Sequence, residues 1–523
     1  MRYQNPIISG FHPDPSICRV GDDFYLVNST FEYFPGIPVY HSKDLIHWEQ
    51  IGHCLTKNSQ VFLKKGAPNC IGIYAPTIRY HKGTFYCIVT NVGGGGNFYV
   101  KTKDIRGEWS DPVMLPDMPG IDPSLFFDED GKVYYTGTDE SIYLYELNLE
   151  TGKPVGKKYD IWDGTGANNP EGPHLYKING IYYLLIAEGG TELGHMATIA
   201  RSKSVFGPYE SCPYNPVLTN RGTGLPIKAI GHADLTDDPN GNWWAVCLGI
   251  RPVSYPFRHI LGRETMLVPV VWKDGWPVMG VNGHVPEEIE TDLLPGDPEH
   301  AGESDLYVTG SDMVDIFQTE KLHPSWNYIY NPIEGVVVQE KDGLALYGTE
   351  AAIGEDTEKA LICRRQEHIV FCAETCLEFK PQEDMEEAGM AIYLNNCHHY
   401  EAALTMISGA HCIILRRQIG TLTAVEKVIP YQGEQVILRL TGDKDRYVFS
   451  YGTDGAFTEL GSGETAYLST ETGGCFTGNY IALYASGNGR KSKAKALFRQ
   501  FRYTSGVRES GCRTGEENFS GSI

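Results

Sequence analysis

Five segments in the first three hundred residues share one design: a turn containing glycine, then a run of aromatic and β-branched residues. They read VGDDFYLVNST, HKGTFYCIVTN, EDGKVYYTGTD, INGIYYLLIAE and PNGNWWAVCLG. Each predicts a hairpin turn leading into a buried strand. With Tyr25, Tyr86, Tyr135, Tyr183 and Trp244 as markers, the repeat recurs every 48 to 61 residues. That period suits a four-stranded blade, and strand pairs such as IPVYHSKDLIHWEQIG lie between the markers as outer strands would. No helical period competes. The expected architecture is all-β, beginning with a five-bladed β-propeller.

Composition narrows the function. The 523-residue chain is too long for one ordinary core, and its 32 tyrosines, 59 glycines and 30 prolines favour strands and turns. A formal charge of −22 argues against nucleic-acid or anionic-membrane partners, which need a basic surface. The start of the chain has no apolar stretch of signal-peptide length, which predicts a cytoplasmic protein. The 13 cysteines are odd in number and scattered through strand-like segments, as buried free thiols would be. Neither CAETC nor NCHHY has zinc-site spacing, and VGGGGN lacks the Gly-Lys-Ser/Thr of a phosphate loop.

The chemistry stands eleven to thirteen residues before each marker. There the repeats carry Asp14, Ala75, Asp122, Glu171 and His232, so five positions distant in sequence are expected to converge at one end of a central channel. A proline follows each of the three acids directly or one residue later, which suits a strand's first residues and predicts an extended backbone at the acid. One Asp-Pro-Ser alone reads as a turn. Three acids and a histidine in equivalent positions are harder to explain that way, because gathered like charges are costly to bury. Two chemistries use such a cluster: glycoside hydrolysis by paired carboxyls, and binding of a hard cation such as calcium. Sugar binding also needs aromatic faces, and Phe31, Tyr33, Phe34 and Tyr74 stand at the ends of the first two inner strands.

The segments NPIISGFHPDPSICRVGDDFYLVNSTFEYFPGIPVYHSKDLIHW, GIDPSLFFDEDGKVYY, EGPHLYKINGIYYLL, GHADL and LGRETMLVPVVWKDGWP resemble glycoside hydrolase family 43, in its β-xylosidase and α-L-arabinofuranosidase branch. The resemblance implies Asp14 as general base, Glu171 as general acid and Asp122 as the group that raises the acid's pKa. It implies inversion at the anomeric carbon, for which carboxyl groups roughly 6.5–9.5 Å apart leave room for a water. It places Arg263 against the glycone and His232 on the axis, with a calcium ion beside His232 in some members and no cofactor required. The substrates it implies are xylo- or arabinoxylo-oligosaccharides. Xylosidases of this branch carry tryptophan where this chain has Tyr33 and Tyr74, which leaves an arabinofuranosidase as the alternative.

The acidic, Pro/Gly-rich stretch ETDLLPGDPEHAGESDL marks a boundary between a first domain over residues 1–295 and a second over 307–505, with a polar tail at 506–523. Alternating strands predict a β-sandwich for the second domain. By the resemblance it closes the pocket with Phe476, limits the enzyme to chain ends and can build a homo-oligomer. Two other readings stay open: a sugar-binding propeller without catalysis, and a calcium-stabilised scaffold.

Overall fold

The computed structural model describes residues 2–65, 70–297, 312–453, 455–474 and 476–506. The expected linker therefore lies partly outside the described residues and the tail almost wholly so. Five antiparallel sheets fill the first half of the chain. Each is built from consecutive strands. The first sheet orders Ser16–Val20, Asp23–Val27, Gly36–Ser42 and Glu49–Leu55. The second joins Gly72–Ile73 and Thr77–His81 to Thr84–Val92, Gly96–Thr102 and Val113–Met114. The other three begin with Ile121–Phe127, Glu171–Ile178 and Lys228–Asp237. The leading strands neighbour one another in chain order, and Lys228–Asp237 lies back against Ser16–Val20. Strand Glu288–Glu290, where the linker was expected to begin, instead pairs with Arg2–Gln4 near the start of the chain.

The hairpins join leading and second strands as the repeat predicts. Cys18 faces Tyr25, Arg79 faces Tyr86, Tyr176 faces Tyr183 and Thr236 faces Trp244. In the third sheet the equivalent partner is Tyr134, facing Phe126, one residue before the marker chosen from sequence.

One buried carboxylate ties this ring together. Asp234, with no exposure, accepts from Ser16 Oγ (2.7 Å) and Ile17 N (3.0 Å) of the first sheet, Arg79 (2.8 and 3.1 Å) of the second and the Tyr176 hydroxyl of the fourth. Burial disfavours its charge, but the Arg79 guanidinium outweighs that and holds it far below the ordinary carboxylate range. Burial pushes His174 down to about 3, so it is neutral, and its Nδ1 accepts from Arg79 Nη2 at 2.9 Å.

The second half forms two facing antiparallel sheets. One includes Gly343–Tyr347, Lys495–Ser505, Phe371–Glu378 and Gln435–Gly442; the other includes Ala360–Arg365, Tyr480–Ser486, Glu387–Asn395 and His398–Ile407. Strand alternation sends Ile362, Met390, Ile392, Ile481 and Leu483 toward the facing sheet, where they meet Leu344, Phe371, Leu438 and Phe498. Their neighbours Leu361, Cys363, Ala391, Tyr393 and Tyr480 point the other way, into one core with Phe31, Tyr33, Phe34 and Ile73 of the first half. That shared core makes the two halves a continuous structure. Of the cysteines in the CAETC and NCHHY motifs, Cys372 and Cys376 are buried and Cys397 is exposed. No helix among the described residues is long and apolar enough to cross a membrane.

Replacing Asp234 with Ala strands Arg79 as an unpaired buried charge. The expected loss is about 3–5 kcal/mol of stability, read as a lower thermal midpoint.

Candidate active site

Counting four residues back from the five paired leading-strand positions gives Asp14, Ala75, Asp122, Gly172 and His232. The sequence reading put Glu171 in this set; the structure puts Gly172 there and Glu171 one residue ahead. Four of these five, all but Ala75, share an unusual backbone. Asp14, Asp122, Gly172 and His232 have φ of 51°, 53°, 59° and 51°, all left-handed. The extended conformation expected before proline is thus absent at Asp14 and Asp122, both of which adopt the left-handed turn instead. Asp is among the few L residues that enter this region readily. In sheets three to five a bulge accompanies the turn. Glycine is required at 172 for a second reason: a Cβ there would sit 2.8 Å from the His232 ring.

The two outer acids of the cluster are held in opposite ways. Asp14 is buried, with Oδ1 accepting from Arg263 Nη1 at 2.8 Å and Oδ2 from Ser29 Oγ at 2.5 Å. Burial alone would raise its pKa, but Arg263, His232 and the Ser29 hydroxyl together outweigh burial and hold it below the ordinary range. Glu171 is only partly buried, and its carboxyl has no hydrogen-bond partner among the described residues. Desolvation and then the nearby Asp122 charge push it up to about 7. Asp122 accepts from Gly172 N at 3.0 Å and faces His232 Nε2 at 3.4 Å. Burial works against charge on His232, yet Asp122 and Asp14 raise it to about 9, so it is an imidazolium at neutral pH.

That charge bears on calcium. Among the described residues no group of three or more His, Cys, Asp or Glu side chains is arranged to hold a metal. A protonated imidazole repels a directly ligated cation; His232 Nε2 faces Asp122, and its Nδ1 is buried with no protein partner among the described residues.

The aromatic residues separate into two groups. The Phe31 ring lies 5.0 Å from Tyr74, 5.9 Å from Phe476 and 5.9 Å from Phe11, and the Arg263 guanidinium sits 5.6 Å from both Phe31 and Phe476. Tyr74 is half-buried, its hydroxyl close enough to Asp122 and Asp14 to feel their charge. Phe476 is 40% exposed, a ring face available to a ligand. Tyr33 does not join them. It is fully buried, stacked on Tyr480 at 3.9 Å and paired with Ile329, so its ring faces serve the contact between the two halves.

Two features escaped the sequence reading. His195 is 1% exposed, its ring against Gly231, where a Cβ would fall 1.9 Å away, and neither ring nitrogen has a protein partner. Burial lowers it to about 3, leaving a neutral imidazole beside His232, Arg263 and Asp14. The second is the clamp that seats Phe476. Thr470 N donates to His259 O (3.1 Å), Asn479 N donates to Ile260 O (3.0 Å), and Glu471 accepts from His259 N (3.0 Å) and Nδ1 (2.6 Å). Gly478 lies so close to Leu261 that a Cβ would come within 2.3 Å of its carbonyl oxygen. The segment so gripped runs directly into Arg263.

A cluster pairing an ionised carboxylate with a protonated one, ringed by aromatic faces, is a hydrolase site for sugars. Comparison with known proteins agrees. The family described as Glycosyl hydrolases family 43 matches residues 3–277, and the Beta xylosidase C-terminal Concanavalin A-like domain matches residues 314–504. The chain belongs to glycoside hydrolase family 43 and is a glycosidase. It is 44% identical to a non-reducing end alpha-L-arabinofuranosidase, BoGH43B, of Bacteroides ovatus, covering 95% of this chain and 94% of that protein. It is 35% identical to a beta-xylosidase of Bacillus subtilis, covering 96% and 99%. Its structure matches the Bacteroides ovatus xyloglucan PUL GH43B with a TM-score of 0.90 and 41% identity over 97% of this chain and all of that one. A xylan beta-1,4-xylosidase from Bacillus halodurans matches with a TM-score of 0.89 and 34% identity, over 96% of this chain and all of that one.

Glu471→Gln weakens the hold on the Phe476 loop without touching the acids. Loss of one charge-assisted bond predicts a KM raised about tenfold with kcat nearly unchanged, checked by steady-state kinetics on an aryl xyloside.

Proposed function

We propose that this protein is an exo-acting, inverting glycosidase that releases terminal β-D-xylose from xylo-oligosaccharides and also accepts α-L-arabinofuranosides. The observation that carries this reading is that two carboxyls of one cluster have opposite surroundings: Asp14 accepts from Arg263 and Ser29, while Glu171 has no hydrogen-bond partner among the described residues. Asp14, held ionised by Arg263 and Ser29, is the general base that takes a proton from water as it attacks the anomeric carbon. Glu171, kept protonated to about pH 7 by burial and Asp122, is the general acid that protonates the departing oxygen. Asp122 raises the acid and, through His232 and the Gly172 N–H, keeps its own place beside it. No metal takes part in these steps. Arg263 would hold the glycone, while Phe31, Tyr74 and Phe476 would supply apolar faces to it.

The architecture that supports this reading is a five-bladed β-propeller over about residues 1–295 with its leading strands on the axis, followed by a β-sandwich from about 307 to 505. The closed succession of five leading strands favours it, as does the convergence of Asp14, Asp122, Glu171 and His232 at their starts. A pocket closed by Phe476 of the second half favours release of single terminal sugars over cleavage within a chain. A preference for α-L-arabinofuranosides is the second reading, favoured by the 44%-identical relative named for that activity and by Tyr74 beside the acids.

The test is turnover of 4-nitrophenyl β-D-xylopyranoside and α-L-arabinofuranoside by the wild type and Glu171→Gln, with the first-formed anomer followed by NMR. Xylosidase-dominant activity and α-xylose as the first product are expected, with a loss of about 10²–10⁴-fold in the variant on xylobiose, whose departing sugar needs the acid, and a much smaller loss on the aryl glycosides. Arabinoside-dominant turnover would reverse the sugar preference, and β-xylose as first product would overturn inversion. The pH profile should be a bell. Its alkaline limb falls near pH 7, where Glu171 loses its proton, and its acid limb lies below the ordinary carboxylate range, where Asp14 gains one.

A further inference from the structure

We infer that Glu188 is a positioning residue for the reaction: a buried carboxylate that sets the loop delivering Glu171 to the leaving group. This rests on the proposed role of Glu171 and extends it to a residue outside the cluster. Glu171 opens its strand opposite Ala187, so Glu188 follows immediately on the partner strand. Between strand Lys153–Trp162 and Glu171 the chain crosses a loop rich in glycine and asparagine, DGTGANNP, with little apolar content to fix it.

Glu188 supplies the missing constraint. It has no exposure, and its carboxylate accepts from Thr165 N (2.9 and 3.0 Å), Thr165 Oγ1 (3.2 and 3.1 Å) and Ala167 N (3.2 Å). Thr198 Oγ1, on the next strand of the same sheet, holds the carboxylate from behind at 2.5 Å. The loop closes tightly around it. Gly164, at φ 77°, has no room for a side chain, because a Cβ would lie 2.6 Å from the Glu188 carboxyl carbon. Gly189 N donates to Asn168 O at 2.7 Å, and a Cβ at Gly190 would meet the Asn169 amide at 2.8 Å.

None of the carboxylate's partners among the described residues is a cation. A buried charge satisfied only by backbone N–H groups and hydroxyls is expensive to keep where an uncharged residue would serve packing alone. What it gives in return is geometry. It converges three loop donors on one point four to six residues before Glu171, whose own carboxyl has no hydrogen-bond partner among the described residues to aim it. The acid must meet the leaving oxygen at hydrogen-bond distance, and a misplacement of about 1 Å costs about 10²-fold in rate.

The inference predicts a signature that general loosening of the fold would not give. Protonation by Glu171 matters most for a poor leaving group, a sugar hydroxyl, and least for 4-nitrophenolate, which departs without help. Glu188→Gln turns an amide NH2 toward donors that need an acceptor. It should lower kcat/KM on xylobiose at least tenfold more than on 4-nitrophenyl β-D-xylopyranoside. Thr165→Val, which removes one hydroxyl donor and spares the buried carboxylate, should show the same inequality more weakly, with an unchanged circular dichroism spectrum. Glu171→Gln, measured alongside, tests the acid itself. If Glu171→Gln shows the leaving-group dependence and both loop variants lose equally on the two substrates, or lose nothing, Glu188 is structural only and the inference falls while the acid stands. If Glu171→Gln shows no dependence, the acid assignment falls and this inference with it.

Discussion

The Asp234–Arg79 pair is the interaction on which the arrangement of sheets depends. Each sheet alone has local hairpins and a face of apolar residues, but nothing in a hairpin says how five sheets should be placed against one another. Asp234 reaches strands of three other sheets at once through Ser16, Ile17, Arg79 and Tyr176. A single anion with several fixed donors sets distances and angles that apolar contact leaves loose, since dispersion and burial are nearly indifferent to small slides. His174 stays neutral because burial disfavours its charge and the Arg79 guanidinium beside it repels a second cation. The pair itself need add little net stability, but removing one partner is costly because it leaves the other as an unpaired buried charge.

The reactive end of the same strands uses charge differently. There Asp14, Asp122 and Glu171 share the positive charges of Arg263 and His232, three carboxyls against two cations. Two carboxyls can be neutralised by partners; the third is cheapest left protonated. Glu171, with no hydrogen-bond partner among the described residues, is the one that keeps its proton. The proposed acid and base roles follow from how the cations are distributed, with Arg263 on Asp14 and His232 on Asp122.

The second half of the chain meets the site through one loop: its Glu471 and the backbone on either side of Phe476 grip residues 259–261, so the Phe476 segment is seated against the first half. Tyr33 and Tyr480 stack within the apolar contact that keeps the halves together. A position that looked like part of the sugar site serves instead to hold the domain that completes the site.

How much was legible beforehand differs by residue. The sequence by itself determined the five hairpins, the leading strands and the approach of Asp14, Asp122, Glu171 and His232 to one another, because turn chemistry and two-residue alternation are local properties. It could not show that Glu171 stands one place ahead of the others, since bulges shift register without altering spacing by more than a residue. Nor could it show the left-handed backbone at Asp14 and Asp122, where the demands of the ring override the local preference of a residue before proline. Arg79, Asp234, His195 and Glu188 were invisible for a further reason: each is a lone polar residue in an ordinary strand or loop, and its meaning lies in partners that only closure of the ring brings within hydrogen-bonding distance.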